Sequence, residues 1–515
     1  MMIKWIVLAI YLVVMLGIGY YCKSKTSNVA DFVLGGRNLG AWFTAFAYGT
    51  SYFSAVVFIG YAGQFGWSYG VSATWIGIGN AFVGSLLAWI VLGNRTRLMT
   101  THLNTATIPE FFEKRYNSKK LKISSAIIVF VFLIPYTASI YNGLSKLFEI
   151  LFNIDYTVCI IVMAILTAVY VIMGGYLATA INDFVQGIIM LIGIIAVIVC
   201  TLMSKGGLFS SLTALKETGA QVGFGDSLAS VTGPDPINLI GVVILTSLGT
   251  WGLPQMIHKF YTIKDKPSIK RGAIISTIFA LVVSGGSYFL GSFGRLFVTT
   301  EEITINGKIS YDIIIPTMIS STLPDILLGI VVVLVLSASM STLASLVLTS
   351  SSTITIDLIK PMLKKSVDEK ETVKIIRIFI ALFILLSVVI ALNPSTYITT
   401  LMSISWGALA GAFLAPFMYG LFSKKVTVPA VLASFVTGVG ITVVHMFLFS
   451  LGLFPDLVAS VSALGFKLNI LSSINAGAFA MIVGLIIVPI VSKFTVVKNK
   501  EQVEEIFTIC NKKAQ

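Results

Sequence analysis

Tyr48-Gly49-Thr50-Ser51-Tyr52-Phe53-Ser54 and Thr246-Ser247-Leu248-Gly249-Thr250-Trp251-Gly252-Leu253-Pro254-Gln255 are the two stretches on which the fold turns. Each sets hydroxyls and glycines into an apolar run of about 20 residues, the length that crosses a hydrocarbon core as a helix. A lipid-buried backbone needs all its N–H and C=O groups paired, so a broken helix survives only where it lines a cavity or is enclosed by protein. Pro254 has no N–H to donate, and Gly249 and Gly252 lower the penalty for leaving helical geometry. Either stretch alone also reads as an ordinary Pro/Ser kink in a packed helix. As a pair about five spans apart, they match the discontinuous helices that open the two halves of an inverted repeat.

Composition places the whole chain in lipid. Of its 515 residues 56% are hydrophobic and 11% charged, and the mean hydropathy is +0.95. A soluble domain carries about a quarter charged residues. The net charge of +13 lies in short loops between apolar runs, which argues against nucleic acid as a partner. Cys22, Cys159, Cys200 and Cys510 form no CxxC spacing and imply neither disulfide nor metal site. The first apolar run lacks a basic n-region beyond Lys4 and an A-x-A site, so it reads as a span and not a signal peptide.

Thirteen candidate spans follow, at 5–21, 42–62, 73–93, 123–151, 157–175, 183–203, 237–259, 272–297, 326–352, 373–392, 398–421, 428–450 and 471–492. The apolar stretch 313–324 reads as an approach to the ninth. With the N-terminus outside, the inner loops hold Lys23, Lys25 and Arg37, the segments Arg95–Lys122, Lys259–Arg271 and Lys360–Arg377, Lys424, Lys425 and the tail. That side carries 28 of the 35 Lys and Arg, the asymmetry expected of a cytoplasmic face. The reading is an all-α membrane protein in one domain, 1–515, with a 5+5 inverted-repeat core. Residues 42–203 and 237–421 are the two five-helix repeats, 428–492 two additional helices, and 493–515 a short basic cytoplasmic tail. A multi-pass protein of a bacterial plasma membrane is expected.

The ninth span carries a polar stripe. Ala338, Ser341, Thr342, Ser345, Thr349 and Ser352 fall on one face of a 100° wheel. Hydroxyls and freed carbonyls are hard ligands that suit Na+, whereas transition metals want His or Cys. Small hydroxyl residues also allow close packing or bond back to the preceding turn; both readings stand at this point. Asp183, at the start of the sixth span, is an ionisable group at a membrane boundary and so a functional candidate, or else a helix N-cap. GIGIGNAFVG at Gly77 follows no strand and reads as helix packing. His102, His258 and His445 are scattered, and Lys146 and Arg295 read as snorkelling residues, with Arg295 alternatively an attractor of an anionic solute. No nucleophile elbow or paired-carboxylate constellation points to an enzyme.

Further stretches carry a resemblance. DFVLGGRNLG at Asp31–Gly40, TIPEFFEKRY at Thr107–Tyr116, GGYLATAINDFVQG at Gly174–Gly187 and GLPQMIHKFYTIKD at Gly252–Asp265, with the ninth-span motif, resemble the sodium/solute symporter family over nearly the whole chain. The resemblance implies sodium-coupled import of a small solute by alternating access. It places one Na+ between the second and ninth spans, held by the carbonyls of Thr50, Phe53 and Ala338 and the hydroxyls of Ser341 and Thr342. It puts Asp183 on a carboxylate near the sodium path and Arg37 on a cytoplasmic arginine tied to coupling. Some members bind a second sodium further along the ninth span, where Ala344 interrupts the hydroxyls here and Ser345 remains.

For the solute, the resemblance points to pantothenate, proline and monocarboxylate carriers. Tyr52 stands where proline carriers have Asp, and Val56-Val57 where sugar carriers have Glu-Gln. Apolar residues cannot bond a ring of hydroxyls, which disfavours sugars. The expected cargo is a small carboxylate-bearing solute, with proline or another amino acid as the alternative. Ser54, Val57, Tyr136, Trp251 and Gln255 are candidate pocket residues. A solute sensor on the same scaffold and proton coupling through Asp183 are the rival readings.

Overall fold

The fold is given by a computed structural model that describes residues 2–23, 28–52, 54–305, 307–363, 367–393 and 398–514. Phe53 and Lys25, named above, lie outside the described residues.

Among the described residues, ten helices are long and apolar enough to cross a membrane. Two further helices, α1 (Met2–Lys23) and α2 (Ala41–Thr50), precede them. Val56–His102 (α3) and Tyr156–Met203 (α5) run 47 and 48 residues, each about 70 Å at 1.5 Å per residue and so enough for two crossings. Both are bent, α3 at Gly70 (φ 58°) and α5 at Gly175 (φ 53°, ψ −154°). Between them stands α4 (Lys119–Phe152). A Cβ on Gly175 would lie 2.7 Å from the Phe32 carbonyl oxygen, so both the dihedral and the space demand glycine.

The remaining spans are α7 (Pro236–Thr262), α8 (Lys266–Gly291), α9 (Asp325–Met362), α10 (Glu369–Ala391), α11 (Ile398–Phe422), α12 (Val428–Ser450) and α13 (Ser473–Phe494). The loop expected over 204–236 contains α6 (Leu208–Gln221). Among the described residues, 298–312 hold a hairpin of two two-residue strands. The tail folds back as α14 (Lys500–Ala514), with Arg95 and Arg115 stacked on Phe507.

α9 sits at the centre: from Val331 to Leu348 every residue is buried. It packs on α5, α4 and α1. α11 is also buried along most of its length, against α13, α12 and α4. Large apolar side chains of α1, α5, α10 and α13 face outward instead, where lipid is the solvent. Close approach depends on small residues: a Cβ on Gly66 would stand 2.1 Å from the Gly291 backbone, fixing α3 on α8.

Candidate functional site

The first break lies where α2 meets α3. α2 ends at Thr50, and the Tyr52 amide donates to the Gly49 carbonyl at 3.0 Å. Ser51 donates to the Ala47 carbonyl at 2.8 Å. The restart is tied to α9, because the Ala55 amide donates to the Ser339 hydroxyl at 2.9 Å. The second break closes with Gly252 and Leu253, after which Pro254 opens the half-helix Pro254–Thr262 at a position that asks for no N–H. π-helical turns flank both breaks, at Val56–Tyr61 and Ile244–Leu248. The two breaks also touch: Tyr52 donates to the Thr250 hydroxyl at 2.8 Å, fully inside the protein.

Against the first break stands the hydroxyl face of α9. Ser341 Oγ lies 3.0 Å from Thr50 Oγ1 and 2.5 Å from Asp183 Oδ1. Thr342 Oγ1 donates to the Ala338 carbonyl at 3.1 Å, one turn down. Thr50, Asp183, Ala338, Ser341 and Thr342 are all buried. Three elements (α2, α5 and α9) thus converge oxygen atoms on one point, with no His or Cys among them. Uncharged oxygens beside one carboxylate are donors that suit an alkali cation. Further along α9 the packing reading holds instead: Ser352 spends its hydroxyl on the Leu348 carbonyl at 2.7 Å.

Two expectations are corrected. Asp183 is not an N-cap, because α5 resumes at Tyr176 after the Gly175 bend, seven residues earlier, and Asp183 sits in its interior. Lys259 is not an inner-loop charge. Every residue from Pro254 to Thr262 is buried, and Lys259, 1% exposed, lies with Nζ 3.9 Å from Asp183 Oδ2 and donates to Ser345 Oγ at 2.9 Å. The basic-loop count absorbed it, since a lysine three residues from a helix end usually snorkels. The signal that finds it is the all-round burial of the half-helix, which turns it into an intramembrane ionisable residue.

Arg37 occupies the C-terminal end of the same half-helix. It stands at φ 55°, donates to the Tyr261 carbonyl at 3.3 Å, and donates also to the Thr105 carbonyl. Leu39 and Ile263 form a bridge beside it. The Lys- and Arg-rich face is sewn shut at this point. On the opposite face a cavity of about 510 Å³ is lined by Gln64, Trp67, Asn238, Arg295 and Asn475. The Arg295 guanidinium lies 4.1 Å over the Trp67 ring and donates to the Trp67 carbonyl at 2.8 Å.

The solute candidates are all buried, but their contacts divide them. Trp251 donates its indole N–H to the Val83 carbonyl at 3.0 Å. Tyr136 packs edge-on to Trp406, with ring centroids 5.9 Å apart. Ser54 Oγ and Gln255 Oε1 are buried without a partner among the described residues, near the first and second breaks respectively, and Val57 lies one turn beyond Ser54.

A sequence model of the sodium:solute symporter family matches residues 32–438. The chain belongs to the sodium:solute symporter family. Curated relatives include sodium/proline symporters of Staphylococcus aureus, one 30% identical over 450 residues and one, of strain JH9, 31% identical over 451; each match covers 85% of both chains. Among solved structures, a Na+-coupled sialic acid symporter in a substrate-bound outward-open state superposes with a TM-score of 0.72 at 18% identity, covering 96% of this chain and 98% of the other. A nucleobase-cation-symport-1 family transporter superposes at 0.50 and 14% identity, over 93% and 99%. Like its family, this symporter is a multi-pass membrane transporter and not an enzyme, and Na+ is the co-transported ion.

Proposed function

We propose that this symporter imports a small carboxylate-bearing solute, with Na+ held between the α2–α3 break and α9. The observation that carries the reading is the meeting of Thr50, Ser341 and Asp183 within hydrogen-bond distance at a helix break. In this reading Na+ takes the hydroxyls of Ser341 and Thr342 and the carbonyls of Thr50, Phe53 and Ala338. Residues 42–203 and 237–421 act as inverted repeats, and Na+ bridges one to the other, favouring the state open to the outside. At −100 mV each inward Na+ contributes about 2.3 kcal/mol from the field alone. Solute and ion leave inward once Arg37 releases Tyr261 and Thr105. The N-terminus is placed outside and the tail inside a bacterial plasma membrane.

Ser54, Val57, Tyr136, Trp251 and Gln255 are proposed to surround the solute. Proline and sialic acid, the solutes named for two of the similar proteins, are both carboxylic acids, which supports the cargo class. The resemblance gives proline carriers Asp where Tyr52 stands and aromatics where Thr246 and Thr250 stand, and here Tyr52 bonds Thr250. That favours a pantothenate- or monocarboxylate-like cargo over proline.

The test is uptake into proteoliposomes with Na+ and H+ gradients imposed separately, across pantothenate, acetate, lactate, proline and sialic acid. The expected result is accumulation of one carboxylate driven by the Na+ gradient alone. Accumulation driven only by H+ would transfer the coupling role to Asp183.

A further inference from the structure

Lys259 is a charge that the mechanism above leaves unused. It lies 1% exposed beside a carboxylate that is fully buried. Asp183 divides its two oxygens: Oδ1 takes Ser341 at 2.5 Å, on the side of the proposed ion, and Oδ2 faces the Lys259 ammonium at 3.9 Å. The ammonium donates to Ser345 Oγ at 2.9 Å and lies 5.2 Å from the centre of the Tyr176 ring, whose π face also favours a cation. Carboxylate, hydroxyl and aromatic face therefore enclose a place that is chemically a cation position, one helical turn along α9 from Ser341.

We infer that Lys259 is a built-in cation that fills this second position, so that the symporter carries one Na+ per solute and not two. The inference rests on the sodium-symport reading above. Charge balance supports it. One Na+ and one lysine against a single buried carboxylate already leave the cluster at +1, and a further Na+ would raise it to +2 in a water-poor interior, where unpaired charge is costly. The lysine is tethered to α7, so it gives up no translational freedom when it takes the position, which a free ion must. Ala344 adds to the case, because a residue without a hydroxyl lies between Ser341 and Ser345 on the helix that would have to ligate a second ion.

The experiment counts ions. Equilibrium binding of radioactive Na+ to the purified full chain, together with the reversal potential of coupled flux in proteoliposomes, gives Na+ bound and charge moved per solute. Wild type is expected to bind one Na+ with a Hill coefficient near one. K259S combined with A344S, which vacates the position and restores a hydroxyl, is expected to bind two, with sigmoid Na+ activation and one more charge per solute. K259R, which keeps the charge, is expected to stay at one.

Two Na+ in the wild type, or a count of one in a folded K259S/A344S chain, would overturn the inference and leave sodium symport intact. No Na+ binding by the wild type would overturn both. If the double variant does not fold, the wild-type count and K259R still decide the matter.

Discussion

Ser341 touches both Thr50 and Asp183, so its hydroxyl is where substitution reads the ion site most directly. S341A removes one oxygen and leaves the Asp183 carboxylate one partner short. The expected outcome is a fall in Na+ affinity of about tenfold or more, on the order of 1.4 kcal/mol, seen as a rightward shift of Na+-activated uptake. Tyr52 gives a control of the opposite kind. Y52F deletes one donor to Thr250, whose own hydroxyl still reaches the Gly84 and Ser247 carbonyls. The expected cost is about 0.5–1.5 kcal/mol of stability, read as a small drop in melting temperature in detergent, with Na+ affinity unchanged. Asp183 could be found from sequence as an ionisable residue in an apolar run. Lys259 could not, because a charge near a helix end reads the same whether it turns to the interface or to the interior.

At the scale of elements, the breaks were legible because glycine, proline and clustered hydroxyls contradict an apolar helix. The flanking π turns were not, since a one-residue widening leaves no mark on hydropathy. The bends of α3 and α5 hid in a similar way: spans were separable, but Gly70 and Gly175 looked like any membrane glycine. Gly175 carries a prediction of its own. G175A must hold an L side chain at φ 53°, ψ −154° with its Cβ 2.7 Å from the Phe32 carbonyl oxygen. Strain of about 1–3 kcal/mol from the dihedral alone, with the clash added, should lower the melting midpoint and the monodisperse yield. A G175A chain as stable as wild type would mean that α5 does not turn on this residue.

For the whole molecule, the question is how the two faces exchange access. Arg37 ties the loop after α1 to the Tyr261 and Thr105 carbonyls, and Leu39 pairs with Ile263; the cavity under Arg295 lies on the other face. R37Q should loosen the basic face, raising thiol-reagent access to cysteines introduced near Thr262 several-fold and lowering maximal uptake more than Na+ affinity. The basic face itself was legible in the charge of the loops. The wall of the solute site was not, because five buried candidates say nothing of which way their side chains turn. All of it depends on Na+ sitting where α2 breaks against α9. Solute accumulation under an imposed Na+ gradient, compared between wild type and S341A/T342A in proteoliposomes, tests that most directly. The account predicts that the double variant folds, still exchanges solute across the membrane, and no longer concentrates it with Na+; unchanged accumulation with an unchanged Na+ requirement would contradict it.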